Sequence, residues 1–126
     1  MSEIKPSNSI IANKSYAFAL EIVIIYKFLL SERKEYVLSK QLLRCGTSIG
    51  ANVHEANSGE SKKDFIHKLS IVLKEKTETL YWLILLKDSE YLDLAQFDKL
   101  YYSCTEISKI LNSIILTMKQ KYFTNS

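Results

Sequence analysis

Arg44 to Ala56 read RCGTSIGANVHEA, and this stretch decides the fold of the chain. It continues an apolar stripe whose members recur three and four residues apart, which is the period of a helix. Gly46 and Gly50 lie on one border of the stripe. Each glycine inside a helix costs about 1 kcal/mol relative to alanine, so we expect the pair to allow close packing of a neighbouring helix. The stripe consists of Leu38, Leu42, Cys45, Ile49, Val53 and Ala56.

Few helix breakers interrupt the rest of the chain. Three glycines and one proline occur in 126 residues, and the glycines all lie between 46 and 59. A chain of this composition is nearly all helix and long enough to form one domain. We therefore predict an all-α, antiparallel up-down-up-down four-helix bundle over residues 13–121. Flexible tails are expected at 1–12 and 122–126.

Local signals set the helix boundaries. The first helix is expected from about residue 13 to 30, the second to end near residue 58, and the third to cover about 62–88. Gly59 can take the left-handed conformation that closes a helix, and Ser61 can cap the next one. Asp93, followed three residues later by Gln96, predicts a capping box at the start of the fourth helix.

The first helix is apolar around most of its circumference. Phe18, Ile22 and Leu29 belong to one face, whereas Leu20 and Ile24 belong to another. A helix with this pattern is buried on more than one side. In a four-helix protein this small, a second copy of the chain most simply covers the extra side. We therefore expect a ring-like homo-oligomer.

The third helix carries a second candidate interface beside its core face. Trp82 is predicted to be exposed among aliphatic neighbours, which is typical of a partner surface. The predicted subunit contacts are Ile71, Glu78, Tyr81, Trp82 and Leu85. The predicted core face consists of Phe65, Ile66, Leu69, Val72, Leu73, Leu80, Leu83 and Ile84. The fourth helix presents a narrower seam, formed by Phe97, Leu100, Cys104, Ile107, Leu111, Ile114 and Met118.

Lys76 interrupts the core face of the third helix. Either its stem lies along the core while the ammonium group reaches water, or it pairs with a carboxylate such as Glu55. The first alternative is favoured because it requires no partner.

Composition excludes several classes of protein. The apolar runs are broken by charged residues and the N-terminus has no signal core, so no membrane segment and no export are expected. Cys45 and Cys104 lie on apolar stripes, which suits reduced thiols in a cytoplasmic protein. The alternative, which the sequence also allows, is one long-range disulfide. A net charge of +3 permits an acidic partner without requiring one.

Three short segments match catalytic or metal-binding motifs, but the other residues or elements that those motifs require are missing. Residues 46–50 fit the nucleophile elbow of serine hydrolases, but Ser48 lies within a helix rather than after a strand. His54 and Glu55 begin a zinc-protease motif that lacks the second histidine. Asp64 and His67 have the spacing of di-iron bundles, but only one copy exists. We expect no enzyme activity, no metal and no cofactor.

A basic surface is the remaining candidate site. Lys40 and Arg44 lie on the outer face of the second helix, and Lys62, Lys63 and Lys68 open the third. We expect one end of this hairpin to collect positive charge where phosphate is favoured. The alternative is a solvated face, because nearby carboxylates offset much of the field.

Ten short segments form a combined pattern: residues 14–19, 39–44, 46–53, 55–56, 61–62, 64–66, 68–71, 74–75, 78–79 and 81–83. Together they resemble the signature of the four-helix-bundle proteins encoded in intervening sequences of 23S ribosomal RNA genes. The resemblance covers about residues 14–92. This family is similar to the accessory protein of diversity-generating retroelements, a pentameric barrel that binds nucleic acid and a reverse transcriptase. The resemblance therefore implies a pentamer and these two partners. Ser48, Asn52 and Glu55 are expected to be structural polar residues.

The sequence thus favours a non-enzymatic, oligomeric accessory factor that binds RNA or DNA through Lys40, Arg44, Lys62, Lys63 and Lys68. The alternative is an oligomeric protein-interaction scaffold that binds no nucleic acid.

Overall fold

The computed structural model describes residues 6–59 and 61–122, which form four helices and no strand. The helices are α1 (Pro6–Ser31), α2 (Leu38–Asn57), α3 (Lys62–Asp88) and α4 (Leu94–Tyr122). Each helix packs against the next one in the chain, and α1 also packs against α4, which closes the bundle. Within the described residues, no Cα atom of α1 lies within 8 Å of a Cα atom of α3, so these two helices are diagonal neighbours. The all-α prediction is confirmed.

Helix α1 begins at Pro6, well before the start expected near residue 13. Proline is favourable in the first turn of a helix, where its missing N–H has no partner to lose. Ile11 is buried and therefore fixes the early part of the helix against the core. The tail predicted for 1–12 is therefore wrong for residues 6–12, and residues 1–5 and 123–126 lie outside the described part.

Two predicted caps are confirmed and one is wrong. The Ser61 hydroxyl accepts from the Asp64 amide at 3.1 Å, and the Gln96 amide donates to the Asp93 carboxylate at 2.7 Å. Gly59 does not have a positive φ. The amides of Ser58 and Gly59 donate to carbonyls in the last turn of α2, each at 3.1 Å, so no left-handed residue is needed there.

A buried carboxylate that the sequence analysis missed caps α2. Glu35 is 7% exposed and lies in the connection between α1 and α2. Its side chain accepts from the backbone amides of Val37, Leu38 and Ser39, at distances from 2.6 to 3.1 Å. The hydroxyl of Ser39 donates back to the Glu35 carbonyl at 2.8 Å. These amides would otherwise be unpaired at the start of the helix.

The two glycines of α2 allow α1 to approach closely. A Cβ atom at Gly46 would lie 2.8 Å from Cγ1 of Ile22, and one at Gly50 would lie 3.1 Å from the carbonyl oxygen of Ser15. Neither distance leaves room for a side chain without movement of α1. The apolar stripe of α2 is buried except for the half-buried Leu38, and the predicted seam of α4 is buried except for the half-buried Met118.

The core face of α3 differs from the prediction at Ile84. Its fully buried residues recur three, four or seven apart, at Leu69, Val72, Thr79, Leu83 and Leu86. Ile84 follows Leu83 and is therefore turned about 100° from it, which leaves it exposed. Thr79 satisfies its buried hydroxyl by donating to the carbonyl of Glu75 at 2.8 Å.

Lys76 lies on the same stripe as these residues and is half-buried. It makes no ion pair with any carboxylate among the described residues, and Glu55 instead binds Lys68 at 2.9 Å. The arrangement fits the first alternative, in which the stem lies along the core.

Candidate functional site

The structure does not bring the five predicted phosphate contacts together. Arg44 forms an ion pair with Glu78 and lies 3.7 Å from Glu75, whereas Lys68 pairs with Glu55. Arg44 and Glu55 are eleven residues apart along α2, which corresponds to about 16 Å. The cations at the start of α2 are therefore separated from those at the start of α3. Two of the five also have a carboxylate partner.

A different set of cations converges where α3 begins and α4 ends. The Nζ atoms of Lys62 and Lys121 lie 4.6 and 5.3 Å from the centre of the Tyr122 ring. Lys63 is exposed beside Lys62. We call Lys62, Lys63, Lys121 and Tyr122 the basic end.

The region around the basic end carries more positive charge than the rest of the described surface. Together with its described neighbours, the basic end gathers five lysines and two carboxylates, a net charge of +3, whereas all the described residues together carry sixteen basic and twelve acidic side chains, a net charge of +4. The rest of the surface is therefore close to neutral. The sequence held a usable signal, because an up-down path places the end of the fourth helix beside the start of the third. The five lysines are Lys62, Lys63, Lys68, Lys119 and Lys121, and the carboxylates are Glu55 and Asp64.

Trp82, predicted to be exposed, is half-buried against the core. Its indole N–H donates to the Glu78 carboxylate at 3.0 Å, and its ring meets that of Tyr81 edge-on at 5.0 Å. The indole N–H, followed by the Arg44 guanidinium, lowers the pKa of Glu78 below its usual value. Trp82 and Glu78 are thus engaged within the chain. Of the predicted interface residues, Tyr81 remains exposed, and Ile71 and Leu85 are half-buried.

An uncovered apolar surface lies on α1. Tyr16, Leu20 and Ile24 are 65%, 50% and 67% exposed, and they form what we call the outer face of α1. On the opposite side of the same helix, Phe18 and Ile22 are fully buried. The apolar pattern on both sides of the helix therefore corresponds to one covered and one uncovered face.

The predicted structural polar residues bond mainly within α2. The Ser48 hydroxyl donates to the Arg44 carbonyl at 2.7 Å, and the Asn52 amide donates to the Ser48 carbonyl at 2.9 Å. Only Glu55 links two helices, through Lys68. Ser48 has no histidine or carboxylate partner among the described residues, so its surroundings do not resemble those of a catalytic serine.

Other chemistry finds little support in the described part of the chain. No group of three histidine, cysteine or carboxylate residues there could hold a metal ion. Cys45 and Cys104 are free thiols and fully buried. None of the helices, over the residues described, combines the length and apolarity needed to cross a bilayer.

Comparisons with known proteins agree on the fold. The model of the family described as 23S rRNA-intervening sequence protein matches residues 7–113. The chain is similar, at 51% identity, to a crystal structure of a protein with unknown function from the S23 ribosomal protein family of Bacteroides thetaiotaomicron VPI-5482. That match covers 86% of this chain and 97% of the other, with a TM-score of 0.85. No match was found among curated proteins.

Proposed function

The chain belongs to the family of 23S rRNA-intervening sequence proteins, and on that premise we propose that it acts by binding, without catalysis, as a cytoplasmic homo-oligomer of antiparallel four-helix bundles. The observation that carries the proposal is the uncovered outer face of α1. The resemblance noted in the sequence adds a pentameric ring and a reverse transcriptase as a protein partner.

The antiparallel path is supported by the order of contacts between neighbouring helices. In each of three pairs of neighbouring helices, a residue nearer the C-terminus of one helix contacts a residue nearer the N-terminus of the other. Antiparallel helices require this order. The contacts are Ile22 with Gly46 and Ser15 with Gly50, Arg44 with Glu78 and Glu55 with Lys68, and Lys14 with Glu106 and Glu21 with Ser103.

The outer face of α1 supports self-association because exposing its apolar side chains to water is unfavourable. Burying a whole leucine or isoleucine side chain is worth about 1.5 to 3 kcal/mol, so the exposed parts of Leu20 and Ile24 retain about half of that each. This remaining burial energy of Leu20 and Ile24 does not stabilise the fold of a single chain. Every copy carries the same face, so each contact between copies that buries this face gains the remaining burial energy.

Replacing both Leu20 and Ile24 with glutamate should convert the oligomer to monomers, because two carboxylates would then face the partner. Light scattering coupled to size-exclusion chromatography gives the mass directly. A double variant on the exposed side of α4, Lys99→Glu with Lys109→Glu, is the control and should keep the wild-type mass. A wild-type protein that is monomeric at high concentration would overturn the proposal.

Nucleic-acid binding is the second candidate, and the basic end favours it. Lys62 and Lys63 have no carboxylate within ion-pair distance among the described residues. Polyanion affinity comes largely from release of counterions by such cations. A patch of this size is weak alone, but copies repeated in a ring bind one polyanion together. Lys62 and Lys63 therefore stay in the proposed contact set, with Lys121 added to it.

Replacing Lys62 and Lys63 with glutamate should abolish binding to labelled single-stranded RNA and DNA at low salt. The wild-type affinity should fall steeply as salt rises, since each phosphate contact adds to the salt slope. The Lys99→Glu, Lys109→Glu variant removes the same charge elsewhere and should bind almost as wild type does. Wild-type protein that shifts no probe at low salt would leave the scaffold as the function.

A further inference from the structure

We infer that the proposed homo-oligomer is built head to tail, with the outer face of α1 in one copy seated on the outer face of α3 in the next. The inference rests on the self-association proposed above and specifies the surface that covers α1. The outer face of α3 consists of Tyr81 and Ile84, which are 59% and 42% exposed and lie within one helical turn. The ring of Tyr81 packs edge-on against the ring of Trp82, with 5.0 Å between the ring centres.

The positions of the two helices allow one copy to use both faces at once. Helices α1 and α3 each pack against α2 and α4 but not against each other in the described residues, so they occupy opposite corners of the bundle. A copy can therefore offer α1 to one neighbour and α3 to another. An arrangement of this kind is heterologous, and it forms a ring when the rotation between copies closes.

The two faces lie at matching heights along the bundle. Helices α1 and α3 end within reach of one arginine side chain, because the guanidinium of Arg33 after α1 donates to the carbonyl of Glu90 after α3 at 2.6 Å. Ile24 lies seven residues before the end of α1, and Tyr81 lies seven residues before the end of α3, about 11 Å in each case. Rotation about an axis parallel to the helices does not change height. Ile24 of one copy would therefore meet Tyr81 of the next.

Charges beside the two faces are also complementary. Lys27 is exposed one turn after Ile24, and the Asp88 carboxylate is exposed at the end of α3, where it lies 3.6 Å from the Lys87 ammonium group of its own chain. In the proposed arrangement these residues differ in height by about 6 Å, a distance that a lysine side chain spans.

The α3 face is turned toward α4, which favours a closed ring over an open filament. The Nζ atom of Lys87 lies 4.3 Å from the centre of the Phe97 ring, so this flank of α3 faces α4. Ile84 is three residues before Lys87 and thus only about 60° from that flank. The two docking faces of a copy are therefore not back to back. Successive copies turn in one direction, with α4 toward the axis.

Two variants, each lacking one face, test the inference. Leu20→Glu with Ile24→Glu removes the α1 face, and Tyr81→Glu with Ile84→Glu removes the α3 face. Each variant alone should be monomeric by sedimentation at high protein concentration. Their equimolar mixture should form a dimer that grows no further, because one intact α1 face and one intact α3 face remain. Helical circular dichroism checks that both variants fold.

The outcomes separate the two proposals. If the wild type is an oligomer and the α3 variant keeps its mass, α3 is not the docking surface and the inference is overturned. Two monomeric variants that do not combine also overturn it. A wild-type protein that is monomeric would instead overturn the proposed self-association on which the inference rests. The single changes Lys27→Asp and Asp88→Lys should each weaken assembly, and the two changes combined should restore it.

Discussion

Replacing Glu35 with alanine should lower the free energy of unfolding by about 2 to 4 kcal/mol. The carboxylate is buried and accepts from three backbone amides at the start of α2. Without it these amides have no side-chain acceptor, and a buried unpaired donor costs about 1 to 3 kcal/mol. Urea denaturation followed by circular dichroism measures the loss, with all variants compared at one protein concentration because assembly adds to stability.

Two further variants show whether the cap is the cause. Glu32 is exposed in the same connection, so Glu32→Ala should change stability by no more than about 0.5 kcal/mol. Glu35→Gln keeps one carbonyl acceptor and should fall between wild type and alanine. An alanine variant as stable as Glu32→Ala would show that water or the relaxed backbone satisfies α2 equally well.

This cap illustrates what sequence reasoning can miss. The Asp93 and Gln96 box was found because its residues stand at the usual positions around a helix start. Glu35 stands three residues before α2, and the residue next to the helix, Val37, makes no side-chain cap. Only the folded connection, in which the Glu35 amide donates to the carbonyl of Leu29, brings the carboxylate to the amides.

The helices themselves followed from local patterns. The spacing in α2 and α4 predicted their buried faces, because a three-and-four repeat places side chains on one side whatever the neighbours are. In α3 the repeat was ambiguous at Leu83 and Ile84, which are both apolar, and neighbouring helices decided between them. Ile84 was consequently assigned to the core, although the bundle leaves it in water.

The candidate sites were harder to predict, because they depend on contacts between distant residues. Nothing local indicates that Arg44 meets Glu78 thirty-four residues away, or that Lys62 meets Tyr122. Trp82 looked exposed since it lies beside the predicted core face of α3 and not on it, yet Glu78, one turn earlier, binds its indole. The uncovered face of α1 was predictable, because a helix that is apolar all round cannot bury every side in a bundle of four.

The Cys104 thiol of the native protein should react with a disulfide reagent about a thousandfold more slowly than in denaturant at about pH 8, and the Cys45 thiol should also react more slowly in the native protein. The thiolate is the reactive form, and burial raises the pKa of Cys104 from 9.0 to about 12. Three pKa units reduce the thiolate fraction about a thousandfold, and exclusion of the reagent from the core slows the reaction further. Burial also raises the pKa of Cys45. Release of the coloured leaving group measures the rate.

A matched variant separates burial from the chemistry of the reagent. Ser113 is exposed on α4, so Ser113→Cys should add one thiol that reacts rapidly with and without denaturant. Cys45→Ala and Cys104→Ala assign the two slow reactions to individual thiols. One wild-type thiol that reacts as fast as the added cysteine would mean that the core opens near it far more often than the packing of Cys45 and Cys104 implies. If neither thiol reacts even in denaturant, the two cysteines are joined as a disulfide, and the free-thiol assignment is wrong.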